Sequence, residues 1–138
     1  MSLKKTILCV EDDQSLSIHK VMLETRGYRV ATCNTAADAM GIFRPGRVDL
    51  VLSQANLPDA SAAELVRHIK ALVPEIPVIV LSTQMPALHT DAPVDLLLRK
   101  GTYGPAELLE HVRLLLVKRR GPHRAAQSAP PERRTQAC

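Results

Sequence analysis

Asp49-Leu50-Val51-Leu52-Ser53-Gln54-Ala55-Asn56-Leu57-Pro58 is a short apolar run that ends in a turn. Leu50 to Leu52 is continuously apolar rather than alternating, which is the pattern of a parallel strand covered on both faces. Parallel neighbours cannot be joined by tight turns, so helical crossovers must flank such a strand. Upstream, Thr6 to Val10 is another short apolar run, followed by the acidic Glu11-Asp12-Asp13. Ile18, Val21 and Met22 then sit at i, i+3 and i+4, with Leu16 and Leu23 widening the stripe, and predict an amphipathic helix. Gly27 stops that helix as a C-terminal cap would, and Tyr28 to Cys33 is rich in β-formers. Ala36, Ala39, Met40 and Phe43 recur at helical spacing, with Asn34 or Thr35 placed to cap the first amides, and Pro45-Gly46 ends this second helix.

Downstream of the turn, Ser61-Ala62-Ala63-Glu64 has the form of a capping box, and Ala62, Leu65, Ile69 and Leu72 make the buried face of a third helix. Val78 to Leu81 predicts a fourth strand and Leu96 to Leu98 a fifth. Glu107 to Lys118 predicts a closing helix with Leu108, Leu109, Val112, Leu115 and Leu116 facing inward. The expected architecture is a five-stranded parallel α/β sheet, doubly wound, with helices on both faces. Ligands of such sheets bind beyond the carboxyl ends of the strands, where the winding reverses. Glu11, Asp12, Gln54, Ser82 and Lys100 all fall at or just after predicted strand ends. One segment breaks the alternation: Thr83 to Pro93 contains two prolines and has no apolar periodicity, so a loop or an irregular short helix is expected where a full helix should be.

At 138 residues and 46% hydrophobic composition, the chain can bury one core without disulfides or metal. No apolar run approaches the ~18 residues of a membrane span, and the apolar stretch before Glu11 is too short for a signal peptide, so a cytoplasmic location is expected. Cys9, Cys33 and Cys138 have neither a paired framework nor metal spacing, and the five histidines are scattered singly. The net charge of +4 belongs to one end of the chain. Residues 118–138 hold six lysines and arginines against Glu132 alone, while residues 1–117 hold 12 basic and 13 acidic side chains. The expected organisation is a domain over residues 4–118 and a basic, proline-containing, disordered tail over 119–138.

The chain resembles the receiver domain of two-component response regulators over roughly residues 5–118. The resemblance is carried by Ile7-Leu8-Cys9-Val10-Glu11-Asp12-Asp13, by Asp49-Leu50-Val51-Leu52 with the Leu57-Pro58 turn, by Val78-Ile79-Val80-Leu81-Ser82 and by Leu97-Leu98-Arg99-Lys100. It implies the flavodoxin-like fold with a shortened or irregular fourth helix. It also implies a phosphorylation pocket in which Glu11 and Asp12 correspond to the acidic magnesium-holding pair. Residue 54 corresponds to the phosphoacceptor aspartate, Ser82 to the hydroxyl that bonds a phosphoryl oxygen, and Lys100 to the lysine that pairs with the acyl phosphate. Gln54 departs from that pattern. An amide lacks the negative charge that strengthens the hold on a hard cation and the nucleophilicity to attack phosphorus, so the pocket is expected to be a relic with no catalytic residue. Ser53 cannot substitute, because successive strand residues point to opposite faces.

Further departures agree with lost switching. Leu97 stands at the aromatic switch position, Gly101 follows the lysine where proline is usual, and the stretch from Ser82 to Lys100 is shorter than usual by about one helical turn. Lys100 is expected to pair with Asp12 or Glu11, and the Gln54 amide to bond either partner. The resemblance therefore implies a module of a bacterial-type two-component phosphorelay that binds a protein partner in one fixed conformation, as a monomer or weak homodimer. No cofactor is expected, beyond a weakly held magnesium ion at most, and no membrane partner. The alternative is a nucleic-acid-associated accessory role for the tail, which lacks the aromatic residues and reader motifs that nucleic-acid binding usually employs. An enzyme is the poorest reading: no histidine stands in motif spacing to Ser82, and no glycine-rich phosphate loop is present.

Overall fold

The computed structural model describes residues 4–83 and 92–119. Chain order is β1 (Thr6–Val10), α1 (Asp13–Thr25), β2 (Arg29–Cys33), α2 (Ala36–Ile42), β3 (Leu50–Gln54), α3 (Ala62–Leu72), β4 (Val78–Ser82), β5 (Leu96–Arg99) and α4 (Pro105–Arg119). All strand pairs are parallel, and the spatial order is β2-β1-β3-β4-β5. Winding reverses between β1 and β3, so the crevice expected of this topology opens at the carboxyl ends of those two strands. The segment between β4 and β5, where the sequence predicts a loop or short irregular helix, lies outside the described residues except for its ends. So does the tail after residue 119.

Strand side chains alternate between two apolar layers. Leu8, Val10, Val51, Val78 and Val80 pack with Ala39, Phe43, Leu65 and Ile69 of the α2–α3 side. Ile7, Cys9, Leu50, Leu52, Ile79 and Leu81 pack with Leu16, Leu23, Leu108, Val112 and Leu116 of the α1–α4 side. β1, β3 and β4 are thus buried on both faces, as their unbroken apolar runs predict. β5 is an edge strand, and Leu97 on its outer face is 37% exposed.

Two helical faces differ from expectation. Ile18 and Val21 have the right spacing for a core stripe but are 60% and 65% exposed, while the buried face of α1 is Leu16, His19 and Leu23. The apolar positions of α1 extend around much of its circumference, and the sheet selects the face on which a histidine has a buried partner. Leu72, expected inside, is 53% exposed at the last turn of α3, where Ala63 and Val66 are buried instead.

Caps hold the helix ends as the sequence suggests. Thr35 accepts the Asp38 amide, and Ser61 accepts the Glu64 amide. Asp59 adds an anchor that pattern reading does not foresee, accepting both the Ala36 and Ala37 amides at the start of α2. Those two amides hold its carboxyl below the usual carboxylate range. At the end of α1 the Gly27 amide bonds the Glu24 carbonyl and the Tyr28 amide bonds the Leu23 carbonyl, a Schellman closure with Gly27 at φ 93°. A Cβ at Gly27 would meet nothing within 4 Å, so Gly27→Ala tests the backbone alone. It is expected to cost about 1–2 kcal/mol by urea unfolding, and an unchanged midpoint would show that the turn relaxes freely.

Candidate functional site

Between the ends of β1 and β3 lies an open cavity of about 170 Å³ whose walls include Asp12, Gln54, Asn56, Ser82 and Lys100. Four of the five residues that the sequence places in a pocket therefore meet there. Asp12 follows β1 and is the N-cap of α1, its Oδ1 accepting the Ser15 amide at 2.8 Å. That amide, ahead of the Ser15 hydroxyl and the Lys100 charge, holds the Asp12 carboxyl below the usual carboxylate range. Ser82 ends β4 and is buried, and its carbonyl accepts the Lys100 amide at 2.7 Å.

Gln54, the last residue of β3, joins the two sides of the crevice. Its Oε1 accepts the Asp12 amide at 2.9 Å, and its Nε2 donates to the Asn56 carbonyl at 2.6 Å. The two backbone partners fix the orientation of the side-chain amide, since one must donate and the other must accept. Expectation placed the Gln54 amide against a carboxylate or Lys100; its partners are main-chain atoms instead. Lys100 differs as well. Its Nζ donates to the Ser15 hydroxyl at 3.0 Å, and no ion pair to a carboxylate is found for it among the described residues. The anticipated neutralisation of Glu11 or Asp12 by Lys100 is thus replaced by a hydrogen bond to α1, which leaves the lysine charge acting on Asp12 across a longer gap.

Glu11 departs furthest. It is fully buried and turned away from the cavity, with both carboxylate oxygens against His19 Nδ1 at 2.9 and 2.8 Å. Burial, with the nearby Glu11 charge adding to it, raises the Tyr103 hydroxyl and pushes the Cys9 thiol far above its ordinary value. Burial likewise pushes the Cys33 thiol up to about 11. Both cysteines are free and buried, and such thiols are poor nucleophiles near neutral pH. Ser53 is buried and its hydroxyl donates to the carbonyl of Gln54, so it is not offered to the cavity.

The donors present do not fit the magnesium ion that the resemblance implies. Magnesium requires near-octahedral oxygen ligation. Here Glu11 is engaged by His19, one Asp12 oxygen caps a helix, the Asn56 carbonyl already accepts from Gln54, and residue 54 adds no anionic oxygen. Among the described residues, no group of three or more His, Cys, Asp or Glu side chains could hold a metal ion. Also among them, no helix is long and apolar enough to cross a membrane.

Sequence reasoning misses His19, Ser15 and the Asn56 carbonyl. A signal exists only for His19, which lies three residues after Leu16 and four before Leu23, and so on their face of the helix.

The family model of the response regulator receiver domain matches residues 7–100. The two-component response regulator ARR2 of Arabidopsis thaliana is 32% identical over 116 residues, covering 81% of this chain and 16% of its own length. The two-component response regulator ORR26 of Oryza sativa is 38% identical over 79 residues, covering 55% of this chain and 13% of its own length. The chain therefore spans only a small part of these relatives. Among solved structures, the signal receiver domain of an HD domain-containing protein from Pseudomonas fluorescens Pf-5 superposes with a TM-score of 0.79 at 21% identity, over 91% of this chain and 96% of its own. A response regulator receiver domain protein from Clostridium thermocellum superposes with a TM-score of 0.75 at 22% identity, over 86% of this chain and 98% of its own. At these identities the structural likeness speaks to the fold alone.

Proposed function

Because the chain belongs to the response regulator receiver domain family, we propose that it is a cytoplasmic receiver module of a two-component pathway that is not phosphorylated at residue 54 and signals by binding a protein partner in one conformation. The observation that carries this reading is the pair of bonds made by the Gln54 amide, to the Asp12 amide and the Asn56 carbonyl. A receiver that switches needs a nucleophilic carboxylate at this position, with room for a phosphoryl group beside it. Gln54 supplies no nucleophile, and its own side chain spans the crevice.

The bonds also form a relay across the sheet. Asn56 is tied to Gln54, Gln54 to Asp12, Asp12 to Ser15 and Ser15 to Lys100, which links β3, the start of α1 and the end of β5. Such a relay ties these strand ends to one another without any covalent change. The module needs no chemistry of its own in this reading. It presents a constant surface to its partner.

The test is intact-mass measurement of the wild-type chain after incubation with acetyl phosphate and magnesium. No phosphoryl adduct is expected under conditions that label an aspartate-bearing receiver, and backbone amide shifts should stay where they were. An adduct mapped to the pocket would overturn the proposal.

A further inference from the structure

We infer that His19 is a second lock on the relic cation site, independent of Gln54, and that it would keep the pocket poor at binding divalent cations even if residue 54 were made acidic. Glu11 leaves the end of β1 beside the crevice, where the resemblance assigns it to a metal. Its carboxylate instead faces the α1–α4 layer, fully buried, with both oxygens within 2.9 Å of one imidazole nitrogen. His19 is itself 9% exposed and lies between Leu16 and Leu23 on the buried stripe of α1.

The Glu11 backbone is held as well. Its amide donates to the Cys33 carbonyl at 3.1 Å, and its carbonyl accepts the Asn34 side chain at 2.9 Å. Only side-chain rotation could bring the carboxylate round to the cavity. That rotation would break the bond to His19 and leave a buried imidazole nitrogen without its partner. Magnesium gives up its own waters reluctantly and offers little to offset such a loss.

The two locks act on different donors. Gln54 occupies the Asn56 carbonyl and the Asp12 amide, whereas His19 holds Glu11, and among the described residues no hydrogen bond joins the two groups. Restoring an acid at residue 54 would free the first set and leave the second engaged. His19 is thus a positioning residue that acts on the site only through Glu11. The inference goes beyond the fixed-conformation reading, which concerns the wild-type chain, and it would fail or stand separately.

The test is a magnesium chloride titration of the full chain, followed by calorimetry and by amide shifts at Asp12 and Asn56. Wild type should show no saturable binding. In Gln54→Asp, weak binding should appear, and adding Glu11→Gln should change Kd by less than about twofold, because Glu11 is not in use. Adding His19→Leu to Gln54→Asp should tighten Kd by about tenfold or more, and Glu11→Gln should then remove that gain. Two results would overturn the inference: Gln54→Asp alone binding as tightly as Gln54→Asp/His19→Leu, or Glu11→Gln weakening Gln54→Asp by about tenfold. The comparison of Gln54→Asp with and without Glu11→Gln leaves His19 in place, so it decides the question even where His19→Leu fails to fold.

Discussion

Phe43→Ala is expected to lower the free energy of unfolding by about 3–5 kcal/mol, the largest effect anticipated for a single side chain in this domain. Phe43 is the single phenylalanine of the chain and is 2% exposed, closing α2 onto the layer formed by Leu8, Val10, Val51 and Ile69. α2 is seven residues long, far too short to persist without tertiary contacts. Its attachment rests on Phe43 and Ala39 beneath it, and on the Asp59 and Thr35 caps at its start. Set against the roughly 5–15 kcal/mol that stabilises an ordinary domain, the loss would bring the chain close to unfolding at ambient temperature. Urea unfolding followed by circular dichroism measures it. A simple cavity lowers the midpoint and leaves the slope unchanged, whereas release of α2 in the native state lowers the slope as well, because less surface remains to be exposed. A loss below about 1 kcal/mol would show that α2 is not part of the cooperative core.

The strands were legible because their chemistry is simple. Ile7 to Val10, Leu50 to Leu52 and Val78 to Leu81 are apolar on both faces, and the parallel sheet covers both. The closing helix was legible for a similar reason, since Leu108, Leu109, Val112 and Leu116 form an unambiguous stripe that the sheet buries. α1 was harder. Its Ile18, Val21 and Met22 match a helical stripe as well as Leu16 and Leu23 do, and a pattern that counts histidine as polar cannot prefer the face carrying His19. The partner that makes a buried histidine acceptable there is Glu11, eight residues earlier in the bend after β1.

The same limit governs the candidate site. Positions at strand ends follow from the order of the elements, so the sequence assigns Glu11, Asp12, Gln54, Ser82 and Lys100 to one crevice, and all but Glu11 line it. Their partners do not follow from that order. Gln54 bonds two main-chain atoms, Lys100 bonds a serine one turn into α1, and Glu11 turns inward. Charge complementarity read from sequence favours pairs such as Lys100 with Asp12. In the folded chain that preference yields to local hydrogen bonds, to main-chain atoms for Gln54 and to neighbouring side chains for Lys100 and Glu11, because an exposed ion pair contributes little.

Gln54→Glu isolates this contest in one atom. The substitution keeps the length of the side chain and keeps an oxygen to accept the Asp12 amide, but it replaces the donor nitrogen that lies 2.6 Å from the Asn56 carbonyl with a second acceptor. Two acceptors cannot share a proton that neither carries, and the new charge shares the cavity wall with the Asp12 carboxylate. Lys100, on the wall of the same cavity, offsets part of this. A cost of about 0.5–1.5 kcal/mol is expected at neutral pH, the net worth of one hydrogen bond at a site that water reaches. The pH dependence follows from the sign of the coupling. Protonating the introduced carboxyl restores a donor toward Asn56, so its folded-state pKa must lie above the unfolded value near about 4.3. Between those two values the native state binds more protons than the unfolded state, and stability falls as pH rises. The deficit relative to wild type should therefore be full above the folded-state pKa and vanish below about pH 4. Urea unfolding of both proteins across that range gives the comparison. A deficit of the same size at every pH would mean that packing, and not the missing proton, sets the preference for an amide at residue 54. A deficit that closes on acidification would identify the Gln54 donor as the group that holds the strand ends together.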